Sequence, residues 1–380
     1  MRIEVNALGR VMRELDRVEG IKGRDVQLTL DAQLQAYVEA RIEGESAAVV
    51  VMDCATGDLL AVGNAPSFDP NLFVRGISVA DWTALNENRY RPLANKVVQD
   101  AYPPGSTFKM IVALAALEAG VIQPEDTVYC PGFVTVSGTR FHCWRSGGHG
   151  NVNLHDSLKV SCDVYYYEIG QRVGIDAIAA MARRLGLGVR HDVPMSAIAE
   201  GIAPDRDWKR ARYGEDWRIG DTVNASIGQG YVLATPLQLA VMAARLATGR
   251  AVSPRLVKTI AGWNSPPAPE SRWDSTRTGC DASAPRCMMW SITSAARPSP
   301  TASSPPACRW PARPAPVRCA ASPPRSAQEA SHRMPICPGS GATMRCGSIS
   351  PPMTIRVLPS RSSSSMAVAA GPWPPPSGGT

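Results

Sequence analysis

Tyr102-Pro103-Pro104-Gly105-Ser106-Thr107-Phe108-Lys109 leads directly into Met110-Ile111-Val112-Ala113-Leu114-Ala115-Ala116-Leu117, and the rest of the domain can be laid out from this run. The prolines stop any helix before them, because the ring disfavours an α conformation at the preceding residue. Beyond them the sequence is almost uniformly apolar as far as Gly120, which predicts a helix over Ser106–Ala119 buried on every side. Such a helix lies in the middle of a domain, so its neighbours in sequence must supply the layers around it.

Upstream, Asp25-Val26-Gln27-Leu28-Thr29-Leu30 alternates as a strand does, and Asp31-Ala32-Gln33-Leu34-Gln35 opens an amphipathic helix. Ala47 to Asp53 is a β-branched apolar run; Ala55-Thr56-Gly57-Asp58 and Leu59-Leu60-Ala61-Val62 complete a hairpin in which Gly57 takes φ > 0. A polar stretch reaches to about residue 100. Downstream, helices are expected over Leu154–Val173 and, after Gly228-Gln229-Gly230, over Pro236–Leu246. An early hairpin with helices grouped behind it is an α+β pattern, without internal repeats.

The chain divides near residue 262. From Trp263 onward lie 22 of the 33 prolines and 21 serines, with one leucine and no Lys, Phe or Tyr. A segment so poor in large apolar side chains cannot offset its conformational entropy, so residues 263–380 read as a disordered tail. That tail carries 12 Arg against 4 acidic residues, a net +8 where the whole chain has +7, which leaves the body near −1. The basic balance therefore belongs to the tail, and nucleic-acid binding is not expected. Six of the ten cysteines (Cys280, Cys287, Cys308, Cys319, Cys337, Cys346) also lie there, without metal-like spacing. No apolar run of 18 residues is present. Arg2-Ile3-Glu4-Val5-Asn6 reads like the middle of a strand, so an incomplete N-terminus is expected.

Ser106 and Lys109 are three positions apart and share one helical face, so the amine can reach the hydroxyl. At the start of a helix, unpaired N–H groups and the macrodipole favour developing negative charge. Serine becomes a nucleophile only when a base takes its proton, and a desolvated lysine can serve. Ser106 as an ordinary N-cap is the alternative. Serine-x-x-lysine is one of three elements that mark penicillin-recognising acyl-transfer enzymes, beside a serine-x-asparagine and a lysine-threonine-glycine. Ser161-Cys162-Asp163 is a second element with Asp for Asn, or else a turn between helices.

Pro103 through Lys109, Ser161-Cys162-Asp163-Val164-Tyr165-Tyr166-Tyr167, and Ile227-Gly228-Gln229-Gly230 ahead of Thr235-Pro236-Leu237-Gln238 resemble class B penicillin-binding proteins, in particular their elongation-type members. The resemblance covers about residues 3–262. It implies a penicillin-binding transpeptidase fold, with residues 1–24 the remnant of an N-terminal pedestal and 25–262 the catalytic domain. It also implies a periplasmic D,D-transpeptidase held in the inner membrane by a helix this chain lacks, acting on peptidoglycan stem peptides beside a glycan polymerase and acylated by β-lactams. Carried over by motif, Ser106 attacks, Lys109 is the base, Ser161 relays the proton and Asp163 holds the second motif. Gly228, Gln229 and Gly230 contribute to substrate binding.

Cys130, Cys143, His149 and Cys162 are separated by 12, 5 and 12 residues, and three thiolates with one imidazole make a closed zinc set. A Cys130–Cys143 disulfide and plain burial are the other readings. Cys143-Trp144 and Gly148-His149-Gly150 look like the metal-binding loop of the elongation-type relatives, which favours a structural zinc; catalysis itself needs no cofactor. His142 is read as a spare surface residue.

The third motif is found nowhere after Ser161, and no lysine follows residue 262. In the resembling proteins that strand binds the substrate carboxylate and supplies half of the oxyanion hole, where one donor is worth roughly 3–4 kcal/mol. A frameshift accounts for the loss. Trp310-Pro311-Ala312-Arg313-Pro314-Ala315-Pro316 can be encoded by a GC-rich string whose neighbouring frame reads Ala-Gly-Lys-Thr-Gly-Thr, and Ser362 to Ala369 can conceal valines followed by Glu-His-Gly-Gly. Besides the transpeptidase, a serine β-lactamase and a non-catalytic penicillin-binding or zinc-organised scaffold stand as alternatives.

Overall fold

The computed structural model describes residues 2–8, 10–16, 20–264, 353–356 and 365–370. The lysine-threonine-glycine position read from residues 310–316 and the six tail cysteines lie outside them.

β1 (Arg2–Val5) and β2 (Val11–Asp16) form a separate antiparallel hairpin. β3 (Val26–Leu28) precedes α1 (Ala32–Ile42), whose N-cap Asp31 accepts from the N–H groups of Gln33 and Leu34. β4 (Ala47–Asp53) and β5 (Leu59–Ala65) make the expected hairpin, with Gly57 at φ 80°. α1 packs on one face of it, through Val38 and Ile42. The stretch read as polar contains α2 (Val79–Asn86), started by Ser78 capping Asp81.

The central helix departs from expectation in its first turn. Gly105–Phe108 is a 3₁₀ turn, and α3 runs from Lys109 to Glu118. The tighter turn lets Thr107 Oγ1 donate to the Pro104 carbonyl (2.8 Å) while the Gly105 N–H donates to the Gly228 carbonyl (3.0 Å). α3 is buried as its composition requires: Ile111, Val112, Ala113 and Ala116 are all at 0% exposure.

A small lobe follows, built from β6 (Val128–Cys130), β7 (Phe133–Val136), β8 (Thr139–His142) and β9 (Gly150–Val152). β6 pairs with β9 and β7 with β8. The single helix expected over Leu154–Val173 is two: α4 (Leu154–Lys159) and α5 (Asp163–Val173). Between them Ser161 takes φ 51°, and the Cys162 N–H reaches back to the Ser157 carbonyl (2.9 Å). The apolar spacing runs through this break because both pieces face the same core, so periodicity alone could not reveal it. α5 packs against α3 with Tyr165, Tyr166 and Ile169 fully buried.

α6 (Ile175–Arg184), α7 (Arg206–Tyr213) and α8 (Ile219–Ser226) complete the helical layer; α9 (Pro236–Thr248), opened by a Thr235/Gln238 capping box, packs on β4. β10 (Val257–Ile260) pairs with β3 and with β11 (Trp263–Asn264). Two segments of the 263–380 tail are described as strands. β12 (Met353–Arg356) pairs with β13 (Ser365–Ala370), and β13 adds to β4, giving a sheet in the order β12-β13-β4-β5. Ser365 stands opposite Asp53 and Ala370 opposite Ala48. The edge of β4 offers unpaired backbone groups to any extended segment that can satisfy them, and Ser-Met-Ala-Val-Ala-Ala is free of proline and of charge.

Candidate active site

Ser106 lies half-buried in the 3₁₀ turn, and the segment behind it holds that turn by backbone contacts. Tyr102 and Ala234 exchange N–H···O bonds of 2.9 Å in both directions. Gly228, at φ 70°, is buried so tightly that a Cβ there would stand 2.3 Å from the Gly105 carbonyl oxygen. Of the three glycine-loop residues expected at the substrate, Gly228 is thus a packing position, while Gln229 is half-buried and Gly230 exposed.

The other sequence-predicted residues meet in front of Ser106. Ser161 Oγ donates to Ser106 Oγ (2.9 Å). Lys109, 1% exposed, donates through Nζ to the Ser161 carbonyl (2.9 Å), Ser161 Oγ (3.1 Å) and Asp163 Oδ1 (2.6 Å). The Tyr166 ring lies under the ammonium at 5.6 Å, and its hydroxyl is paired with Ser157 Oγ (3.2 Å). Burial pushes the Tyr166 phenol far above its usual range, so it stays neutral beside Lys109. Two hydroxyls, one amine and one carboxylate form a continuous hydrogen-bonded chain across 57 positions of sequence. A left-handed serine costs about 1–2 kcal/mol, and Ser161 is held there by these contacts.

Asp163 faces a second partner. Its Oδ2 accepts the Trp144 backbone N–H (2.9 Å), and the Trp144 indole Nε1 donates to the Val160 carbonyl (3.0 Å). Sequence reading noted Trp144 only as part of a loop. The signal available in the sequence was a tryptophan directly after Cys143 in a polar, glycine-rich stretch; its side chain stands 60% exposed.

Cys130, Cys143, His149 and Cys162 converge as their spacing suggested, with all ligand atoms within 4.8 Å of one another. A zinc tetrahedron with Zn–S bonds of about 2.3 Å has edges of about 3.8 Å, so the donor set suits that ion. His149 Nδ1 lies 3.6 Å from Cys130 Sγ and 3.5 Å from Cys143 Sγ, which makes it the nitrogen facing the sulfurs; Nε2 is buried without a hydrogen-bond partner among the described residues. Hydrogen bonding from Cys162 draws the Cys143 thiol below its ordinary range, and the same contact together with burial pushes Cys162 up. The three sulfurs are free thiols, with Cys130 and Cys143 not joined in a disulfide, and His142 is exposed at the end of β8.

A serine in the turn that opens a buried helix, a lysine three residues on and a second serine from an inter-helix turn, joined by hydrogen bonds, are the arrangement of a serine acyl-transfer fold. The chain belongs to the penicillin-binding protein transpeptidase domain family, which it matches over residues 47–279. Within that family its likeness is to class B proteins of the penicillin-binding protein 2 type. It is 42% identical over 239 residues to the peptidoglycan D,D-transpeptidase MrdA of Escherichia coli K12, an alignment covering 62% of this chain and 38% of that protein. The chain thus spans about two-fifths of that relative's length. Penicillin-binding protein 2 of Pseudomonas aeruginosa, solved in complex with WCK 5153, superposes with a TM-score of 0.66 at 36% identity, covering 73% of this chain and 62% of that one. The Helicobacter pylori penicillin-binding protein 2, solved in complex with MreC, also gives 0.66, at 33% identity, covering 77% and 53%.

Proposed function

We propose that this chain carries the nucleophile-bearing part of a peptidoglycan D,D-transpeptidase, with residues 25–262 as its catalytic domain and 1–24 as the remnant of a pedestal. The observation that supports it most directly is the Ser106–Ser161–Lys109–Asp163 chain of hydrogen bonds. The pairing of β3 with β10 joins the two ends of the 25–262 span, as one domain requires.

In this reading Ser106 Oγ attacks the D-Ala–D-Ala carbonyl of a stem peptide. Its proton passes through Ser161 Oγ to Lys109 Nζ, which enters the step as the neutral amine and leaves it as the ammonium, and is then given to the departing D-alanine amine. The acyl group then moves to an amine of a second stem peptide, and water is kept from the ester. Asp163 orients the ammonium. The Ser106 N–H would face the oxyanion; its partner strand belongs to the third motif, outside the described residues. Gln229, half-buried, and Gly230, exposed, would contribute to substrate binding. A zinc ion held by Cys130, Cys143, His149 and Cys162 would brace the second motif and take no part in the chemistry.

By the same resemblance the catalytic part is periplasmic, anchored to the inner membrane, and works beside a glycan polymerase. Among the described residues no helix is long and apolar enough to cross a membrane. A fluorescent penicillin tests the proposal on this chain and on one with the reading frame restored. Covalent label lost in Ser106→Ala supports it, and rapid release of the label points to a β-lactamase. A second reading, a non-catalytic scaffold, is favoured by the missing lysine-threonine-glycine; absence of label from both chains would establish it. Resequencing the DNA between the codons for Lys258 and Asp281 decides the frameshift: an indel is expected, and an intact frame would sink that explanation.

A further inference from the structure

Trp144 is a large side chain beside the Ser161 turn whose position burial does not explain. Its indole is 60% exposed, yet both of its N–H groups are spent on the turn that presents Ser161. They bind on either side of that residue: Nε1 holds the Val160 carbonyl just before it, and the backbone N–H holds the Asp163 carboxylate just after it. Ser161 between them has φ 51°, a conformation that a non-glycine residue leaves when released. Both Ser161 oxygens meet Lys109, so a change of φ at Ser161, which turns its Cβ and its own carbonyl together about the N–Cα bond, would withdraw the carbonyl and reorient the hydroxyl at once. The ring also leans on His149, with centroids 5.2 Å apart.

We infer that Trp144 is a positioning residue: its indole N–H locks the Ser161 turn in its left-handed form and so keeps Ser161 and Asp163 on the Lys109 ammonium. The catalytic part of this statement rests on the proposed transpeptidase reading; the conformational part does not. Trp144 acts at one remove, through the Val160 carbonyl, and touches no reacting atom.

The test uses the full 380-residue chain and two substitutions. Trp144→Phe keeps the ring and the backbone N–H but lacks Nε1; Trp144→Ala lacks the ring as well. Hydrogen exchange followed by mass spectrometry should show the amides of residues 158–166 exchanging roughly tenfold faster in both variants, the effect of one lost hydrogen bond, with the melting temperature and the α3 peptides unchanged. With a fluorescent penicillin, the acylation rate constant at saturation should fall roughly tenfold while the half-saturating concentration holds, since only alignment is lost. Unchanged exchange in Trp144→Phe, or an effect confined to Trp144→Ala, would overturn the inference by showing that the ring and not the N–H matters. A rise in the half-saturating concentration with the saturated rate constant unaltered would overturn it too. If the unsubstituted chain takes no label, the transpeptidase reading fails, and exchange alone decides the role of Trp144.

Discussion

On one side of the candidate site the Gly105–Lys109 segment is pressed between a fully buried helix and the backbone of residues 228–234. On the other, Ser161–Asp163 is a three-residue turn between two helices, held by an ammonium, an indole and a cluster of thiols. The first wall is positioned by close packing, in which no single polar group matters much; the second by a few directed bonds, each of which does. Packing is insensitive to pH and metal, whereas directed bonds to ionisable and metal-binding groups are not. Ser106 and Lys109 therefore sit on the stiff wall, and Ser161 and Asp163 on the adjustable one.

This contrast breaks most sharply at Gly228. Replacing it by Val puts side-chain atoms into the Gly105 carbonyl at a backbone angle valine avoids, which should cost about 4–5 kcal/mol or prevent folding; chemical denaturation reads it. Ile111→Ala, in α3, should cost about 2–5 kcal/mol by leaving a cavity, with zinc affinity measured by competition with a chelating dye unaltered. The second wall should answer differently. Zinc at a hundredfold excess over its Kd should stabilise the chain by about 2.7 kcal/mol in thermal melts, and Cys130→Ser should remove most of that gain without touching stability in chelator.

The smallest expected effect tests whether the packed side is as indifferent to pH as the comparison requires. His191 is buried, donates Nε2–H to the Gly186 carbonyl (2.9 Å), and is pushed down to about 4 by desolvation. The unfolded chain therefore binds a proton at a higher pH than the folded one. The resulting stability is complete above about pH 6.5 and is lost as pH falls toward 4. Melting temperatures across that window should fall more steeply for the parent chain than for His191→Gln. Equal slopes would mean that acid acts through the second wall.

The packed wall was the legible one. An apolar run between Pro-Pro-Gly and Gly120 specifies a buried helix by local composition, and the β4–β5 hairpin follows from one β-branched run and one glycine. The four cluster residues could be singled out because cysteine and histidine are scarce in the body. The second wall was legible in its residue types but not in its shape. The break between α4 and α5 depends on Trp144 and Lys109, 17 and 52 positions from Ser161, and nothing near Ser161 marks it as left-handed. The 3₁₀ turn escaped for the same reason, being set by Gly228. Strand β13 was missed because composition reports what a segment can bury and not which open edge it can join.

The two short pairs Cys143-Trp144 and Cys162-Asp163 each place a cluster ligand next to a group that reaches the turn or the lysine. Being consecutive, the members of a pair cannot be separated by any change in loop length. An insertion within Ser161–Asp163 would dislodge ligand and carboxylate at once, whereas one at the Ser137-Gly138 tip of the β7–β8 hairpin would disturb neither. Related chains should accordingly vary in length at that tip and keep an invariant spacing between the second serine, the cysteine and the acid.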